Sequence, residues 1–210
     1  MSTLLHMDSS ALGGNASFSR QLSAEFARQW KKKNPDGAII TRDLATTVLP
    51  PVTAEWIRDA RNTPEDSLTA QQRATLSLSN ELVAELHAAD EYVFGIPMYN
   101  FSIPAVLKLW IDQVVRYGKT FTYENHTPMG LLKRKVATFI VASGGVYDEG
   151  SPSAAMNFVD PYLKSLFGFL GVTDAAFIHA GGTMQVLYGV DRETILRPPI
   201  ATIQAQFQAA

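Results

Sequence analysis

The stretch EYVFGIPMYNFSIPAVLKLWIDQVVR, Glu91 to Arg116, decides the fold. It opens with Tyr92-Val93-Phe94-Gly95-Ile96, a short apolar run rich in β-branched and aromatic residues. Such a run reads as a strand buried on both faces. Pro97 lacks a ladder donor and ends it. Met98-Tyr99-Asn100-Phe101 follows, four bulky or polar residues where a plain turn would carry glycine. Ser102-Ile103-Pro104 then starts a helix, with the proline suited to its first turn. Leu107, Ile111, Val114 and Val115 form the apolar side of that helix, and Lys108, Asp112 and Arg116 recur at every fourth position on its polar side. An unusual loop thus joins the carboxyl end of a buried strand to a helix, the place where open α/β sheets bind ligands.

Working outward, the same alternation repeats. Thr3 to Met7 reads as the first strand, followed by a polar loop from Asp8 to Ala16. Ser17-Phe18-Ser19-Arg20 opens a helix whose Phe18, Leu22, Phe26 and Trp30 make one apolar stripe. Lys31, Lys32 and Lys33 suit the negative end of its dipole, and Asn34-Pro35-Asp36-Gly37 stops it. Ala38 to Arg42 is a second strand. A short helix and a surface loop are expected between Val52 and Leu68. Thr69-Ala70-Gln71-Gln72 forms a capping box for a helix running to about Ala88, whose Leu76, Leu82, Val83 and Leu86 are available to the core. Beyond Arg116, Tyr117 to Arg134 is an aromatic-rich excursion of the kind that is often functional. Lys135 to Ala142 is a further strand. Ser151-Pro152 has the form of a helix start, and Phe158, Tyr162, Leu166, Phe169 and Leu170 give that helix a wide apolar side, with Gly171 as its cap. Ala175 to Ala180 is the last strand, and Asp191 to Gln208 the last helix. Five strands alternating with helices imply an α/β, flavodoxin-like three-layer sandwich with a five-stranded parallel sheet and right-handed crossovers. The 210 residues suffice for one such domain, spanning 1–210.

Composition narrows the function. A net charge of -2 leaves no footprint for nucleic acid. The chain has no cysteine, which excludes disulfides, thiolate catalysis and zinc–cysteine or iron–sulfur sites. No apolar run is long enough to span a bilayer and no signal peptide is evident, so the expected location is cytoplasmic. His6, His87, His126 and His179 show no metal spacing. Asp148-Glu149 reads as a solvated turn. No nucleophile-elbow pattern occurs. With no credible nucleophile or general base, the chemistry falls to a cofactor.

Three loops leave strand carboxyl ends: Ser9 to Ser19, Met98 to Phe101, and Ser143 to Tyr147. The first sets hydroxyls of Ser9, Ser10, Ser17 and Ser19 beside a helix N-terminus, where free N–H groups and the dipole favour an anion. The dipole contributes roughly 0.3–2 kcal/mol, so several contacts must act together. Serines there also suit a plain helix cap. No Gly-Lys-Ser/Thr follows and three spaced glycines are lacking, so a monophosphate held by neutral groups fits better than a triphosphate or a dinucleotide. Met98 to Phe101 could face a planar ring, or simply pack. Ser143-Gly144-Gly145 permits close backbone approach to a ligand, or forms only a turn.

Together these residues resemble the FMN-dependent NADH-azoreductases, which are also NADH–quinone oxidoreductases of flavodoxin-like fold. The resemblance rests on Pro97-Met98-Tyr99-Asn100-Phe101 with Ile103-Pro104 and Leu107-Lys108. It extends to the serine-rich loop, Thr120-Phe121-Thr122-Tyr123, Ser143-Gly144-Gly145, Pro161-Tyr162-Leu163 and Gly168-Phe169. It implies that Ser10, Ser17, Phe18 and Ser19 hold the FMN phosphate. Met98, Tyr99, Asn100 and Phe101, with Ser143, Gly144, Gly145 and Val146, would hold the ring. Tyr123 and Phe169 would wall a substrate pocket shared by two subunits of a homodimer. The implied reaction passes two electrons from NADH or NADPH to a quinone or azo compound in ping-pong fashion, with no catalytic side chain. Two departures stand out: Phe18 where the family often has glutamine, and no arginine between Ser143 and Gly144. A flavodoxin-like electron carrier is the alternative from another class, and a flavin-free interaction protein a third.

Overall fold

The computed structural model describes residues 2–62 and 65–208. The elements follow in the order β1 (Thr3–Asp8), α1 (Phe18–Lys33), β2 (Ala38–Asp43), α2 (Ala54–Asn62), α3 (Ala70–Ala88), β3 (Glu91–Pro97), α4 (Ala105–Val114), β4 (Phe121–Glu124), β5 (Thr127–Gly130), β6 (Val136–Ala142), α5 (Asp160–Leu170), β7 (Asp174–Ala180) and α6 (Arg192–Gln208). Five strands form one parallel sheet in the order β2-β1-β3-β6-β7. The expected surface loop before Thr69 falls partly on Thr63 and Pro64, which lie outside the described residues.

β3 occupies the middle, as its sequence demands: Tyr92 to Pro97 are all buried. Its side chains alternate between two cores. Tyr92, Phe94 and Ile96 join Leu5, Met7, Phe139 and Val141 under α3, α4 and α5. Val93 joins Leu4, Ile140 and Ile178 under α1 and α6. The first core is built around aromatic rings, with Phe94 within 5.1–5.8 Å of Phe139, Phe167 and Trp110. Leu22, Phe26 and Trp30 of α1 are buried as the stripe predicts, each contributing about 1.5–3 kcal/mol. The Trp30 indole donates to the Glu91 carboxylate at 2.9 Å. The capping box of α3 is present in both directions: Gln72 N donates to Thr69 Oγ1 at 3.2 Å, and Thr69 N to Gln72 Oε1 at 2.9 Å.

Several sequence expectations shift. Pro104 caps α4 from outside instead of opening its first turn. Trp110, absent from the expected apolar side, is 1% exposed and central to the core. Ser151-Pro152 does not start a helix. Ser151 N closes a turn onto Asp148 O, a short 3₁₀ segment follows at Ala154–Met156, and α5 begins at Asp160. Val159 holds the N-cap position without a side-chain cap; just ahead of it Asn157 Oδ1 accepts from Val159 N and Asp160 N, and Pro161 lies in the first turn. The buried stripe of α5 is Leu163, Phe167 and Leu170, one step around from the side named above. Tyr162, Leu166 and Phe169 are half-buried at its margin, and Phe158 lies outside the helix and exposed.

The excursion after α4 contains an antiparallel hairpin, β4 and β5. Asn125 and His126 both have positive φ, 50° and 64°, as a two-residue type I′ turn requires. Gly130 packs on the end of α5 so closely that a Cβ there would lie 2.1 Å from Gly171 N. Gly171, with φ 98°, caps α5 as expected. Among the described residues no helix is long and apolar enough to cross a membrane.

Candidate functional site

At the carboxyl edge of the sheet the loops after β1, β3, β6 and β7 close around one crevice of about 150 Å³. Its walls include Ser10, Ser17, Phe18 and Ser19 on one side and Met98, Tyr99, Gly144 and Thr183 on the other. Backbone hydrogen bonds lock the loops together. Ser9 N and Oγ both donate to Gly95 O, at 3.0 and 3.1 Å. Met98 N donates to Ala142 O, and Ala11 N to the Tyr99 hydroxyl at 3.3 Å.

The serine loop is a cradle of neutral donors. Ser10, Ser17 and Ser19 are almost completely buried. Ser17 Oγ caps α1 by accepting from Arg20 N and lies 3.2 Å from Ser19 Oγ. The amides of Phe18 and Ser19, in the first turn, have no intrahelical acceptor. Beneath the cradle lies a buried polar network that sequence reasoning missed. Arg20 grips Asp43 with two bonds of 2.6 and 2.9 Å, donates to Ser10 O at 2.7 Å, and stands 3.6 Å from Asp8. The Arg20 bonds hold the Asp43 carboxyl below its ordinary pKa. Burial pushes Asp8 up, against the pull of His6, the Ser23 hydroxyl and Arg20, and burial pulls His6 down. The charge of Arg20 is therefore spent on carboxylates, and its contact with the crevice is through a loop carbonyl. The sequence signal was faint: five residues spread over β1, α1 and β2 (His6, Asp8, Arg20, Ser23 and Asp43) converge only once the strands pair.

The loop after β3 is a tight reversed turn. Tyr99 N donates to Ser102 O at 3.0 Å and Ser102 N to Tyr99 O at 3.1 Å. Asn100 and Phe101 between them take φ of 49° and 70°. A left-handed phenylalanine costs roughly 1–2 kcal/mol. Phe101 O accepts from Phe158 N, and its ring meets Tyr147 edge-on at 6.0 Å, joining this loop to the one after β6. In that third loop Ser143 Oγ donates to Gly145 O at 2.9 Å. Thr183 N and Oγ1 both donate to Ser143 O at 3.0 Å. A Cβ on Gly144 would stand 2.9 Å from the Met184 side chain. Asn100, Phe101, Gly145 and Val146 are not among the residues lining the crevice but follow Tyr99 and Gly144, which are, and Ser143 fixes its loop through Gly145 O. Leu12, Ala16 and Thr183 line it without having been singled out; the signal for Thr183 was Gly181-Gly182 at the end of the last strand.

His179, on β7, stands behind the third loop. Its Nε2 is 2.8 Å from Asp160 Oδ2 and its Nδ1 is 3.8 Å from Asp148 Oδ1. The Asp160 bond raises the imidazole pKa. Asp148 is accordingly more than a solvated turn residue.

Tyr123 and Phe169 are not at the crevice. α5 starts beside the carboxyl-end loops and runs to the opposite edge of the sheet, so Phe169 lies at the far end. There it packs on Phe121 at 4.8 Å, and Phe121 on Tyr123 at 5.9 Å. A larger hollow of about 630 Å³, lined by Asn80, Val83, His87 and Lys119, also lies away from the three loops.

A parallel sheet of this order, with a hydroxyl-lined anion cradle at its carboxyl edge, defines a flavodoxin-like protein. The family model described as a flavodoxin-like fold matches residues 2–206. An FMN-dependent NADH:quinone oxidoreductase from Acidobacterium capsulatum is 52% identical, over 97% of this chain and 98% of that one. FMN-dependent NADH:quinone oxidoreductase 3 from Burkholderia lata is 44% identical, over 99% and 100%. The crystal structure of an azoreductase from Bacillus anthracis strain Sterne covers all of both chains with a TM-score of 0.88 and 27% identity. The chain belongs to the flavodoxin-like family of FMN-dependent NADH:quinone oxidoreductases and azoreductases. It is an enzyme of the oxidoreductase class, so the carrier and the flavin-free readings fall away.

Proposed function

We propose that the protein passes two electrons from NADH to quinones, and to azo compounds, as an FMN-dependent cytoplasmic enzyme acting by a ping-pong scheme. The observation that carries this reading is the convergence of four loops on one crevice that is polar at the α1 end and faced by Met98, Tyr99 and Gly144 at the other. FMN, when bound, supplies hydride acceptance from a nicotinamide and two-electron donation to the acceptor. The residues present fit it. Buried hydroxyls of Ser10, Ser17 and Ser19, with the first-turn amides of α1, suit a phosphate monoester. Backbone of the Met98–Phe101 and Ser143–Val146 loops suits the polar rim of a planar ring, and Gly144 leaves the room that a side chain would fill.

The chain's own part is to bind, orient and exclude water. On this reading no side chain need act as an obligatory acid or base. The family resemblance and the missing dinucleotide fingerprint support donor and acceptor using one opening in turn. A homodimer supports the acceptor side. Tyr123 and Phe169 reach a crevice only across a twofold interface. Leu187 and Tyr188, 77% and 81% exposed beside the last loop, provide apolar surface to cover. Removing it from water gives about 25 cal/mol per Å².

The absorption spectrum of the purified protein, with calorimetric titration of FMN, tests the cofactor. Colourless protein that takes up no FMN rejects the proposal. Initial rates at varied NADH and quinone test the order of events, and intersecting double-reciprocal lines would replace ping-pong with a ternary complex. Light scattering that finds a fully active monomer would remove the shared pocket.

A further inference from the structure

Phe18 lies in the middle of the phosphate turn, between two buried serines, and is among the residues that line the crevice. Over its ring stands the guanidinium of Arg192, the first residue of α6, with Cζ 3.6 Å from the ring centroid. That is a close stacking contact by cation–π standards. The fork is held in place by Gln21, whose Oε1 accepts from Arg192 Nε at 3.0 Å and Nη2 at 2.8 Å. Both partners are neutral, and among the described residues no carboxylate forms an ion pair with Arg192. Glu193, the next residue, acts on it through its charge alone. Arg20, the other arginine at this end of α1, is matched by Asp43 and Asp8. A partly desolvated cation with no described carboxylate in contact sits one aromatic side chain from the anion cradle, and an arginine stays charged at any working pH.

We propose that Arg192, stacked on Phe18 and oriented by Gln21, is a positioning residue that supplies the positive potential with which the neutral serine cradle retains the phosphate of FMN. The inference rests on the FMN reading above and adds a residue from the far end of the chain to it. Phe18 has two jobs in this arrangement: its amide belongs to the turn, and its ring carries the guanidinium. A phosphate monoester bears about 1.5–2 negative charges at neutral pH. At separations below a Debye length, one partly screened cation should change affinity about three- to tenfold.

The test compares FMN with riboflavin, which lacks the phosphate, by titrating apoprotein and following flavin fluorescence. Arg192→Gln should weaken FMN about three- to tenfold and leave riboflavin unchanged, with a smaller salt dependence for FMN than in wild type. Arg192→Lys, which keeps the charge without the planar fork, should retain most of the preference. It also serves should the glutamine variant fail to fold. Phe18→Leu should lower the FMN preference by freeing the guanidinium. An Arg192→Gln protein with unchanged FMN affinity, or with equal losses for both flavins, overturns the role of Arg192 while leaving the FMN reading intact. Wild-type protein that binds neither flavin overturns the FMN reading itself.

Discussion

Gly95→Ala is the sharpest test of how the cradle is built. Gly95 lies in β3, directly under the first turn of α1. A Cβ at that position would stand 2.2 Å from Asp8 Oδ1, 2.8 Å from Ser23 Oγ and 3.1 Å from the Ser19 carbonyl. Asp8 cannot swing away freely, because Oδ1 accepts from Ser23 Oγ at 2.7 Å. Breaking a buried bond to a carboxylate costs about 1.5–3 kcal/mol. Overpacking against the helix backbone adds about 1–3 kcal/mol. Alanine returns roughly 0.5–1 kcal/mol in a strand interior. The net loss is about 3 kcal/mol, which for a domain of this size lowers the melting temperature by about 6–12 °C. Displacement of Ser19 should also weaken FMN several-fold. Thermal unfolding of apoprotein followed by circular dichroism measures the first effect and flavin fluorescence titration the second. Gly13→Ala is the control: nothing lies within 4 Å of its Cβ, and it should melt within about 2 °C of wild type. If Gly95→Ala melts with the control, the packing of α1 on β3 is not what fixes the cradle.

His179 should give a pH-dependent brace. Its folded pKa is raised by Asp160, so its stabilising contribution is full below the unfolded value near 6.5 and is lost as pH rises through the folded value. Wild type should therefore lose stability toward alkaline pH relative to His179→Asn, and parallel denaturation profiles across that window would contradict the brace. Thr69→Ala removes one arm of the α3 capping box and should cost about 0.5–2 kcal/mol in urea unfolding; no shift in midpoint would mean that water replaces the cap. Phe101→Gly relieves a left-handed side chain, so stability should hold or rise by about 1 kcal/mol while NADH–quinone turnover falls. Unchanged turnover would remove the ring from function.

Much of this architecture is legible in the chain because local pattern and tertiary fate agree. Tyr92 to Ile96 is apolar at every position, and only a strand covered on both faces uses such a run. The capping box at Thr69 is a local interaction, and local sequence suffices to find it. The misreadings share a different cause. Ser151-Pro152 offers a legitimate helix start, but Asn157 and Pro161 offer a second one, and the core selects it by requiring Leu163, Phe167 and Leu170 on one face. The β4–β5 hairpin turns on Asn125-His126, where histidine hides a turn more often marked by glycine. The crevice itself was legible as three loops at strand ends. Its supports were not, because Asp8, Arg20 and Asp43 meet through β1–β2 pairing, and Arg192 meets Phe18 across most of the chain length. Tyr123 and Phe169 were grouped with the site by resemblance, and within one chain they lie at the other edge of the sheet.

The turn at Asn100-Phe101 shows why these loops are better explained by ligand binding than by folding. The path from β3 into α4 needs two residues of positive φ, and glycine would meet that need at no steric cost. Phenylalanine there costs roughly 1–2 kcal/mol. Its edge contact with Tyr147 offsets about 0.5–1.5 kcal/mol of that. The ring remains 38% exposed, so burial recovers little more. Tyr99 beside it is 39% exposed and spends its hydroxyl on Ala11 N. Two aromatic side chains are thus held half-open at the mouth of a crevice, on a strained backbone, with the Tyr99 hydroxyl turned to the serine loop. A stability-driven sequence would place small or polar residues there. Backbone strain of this kind persists where the surroundings over-determine it and where it serves a site, and here the surroundings are the four loops that meet at the carboxyl edge of the sheet.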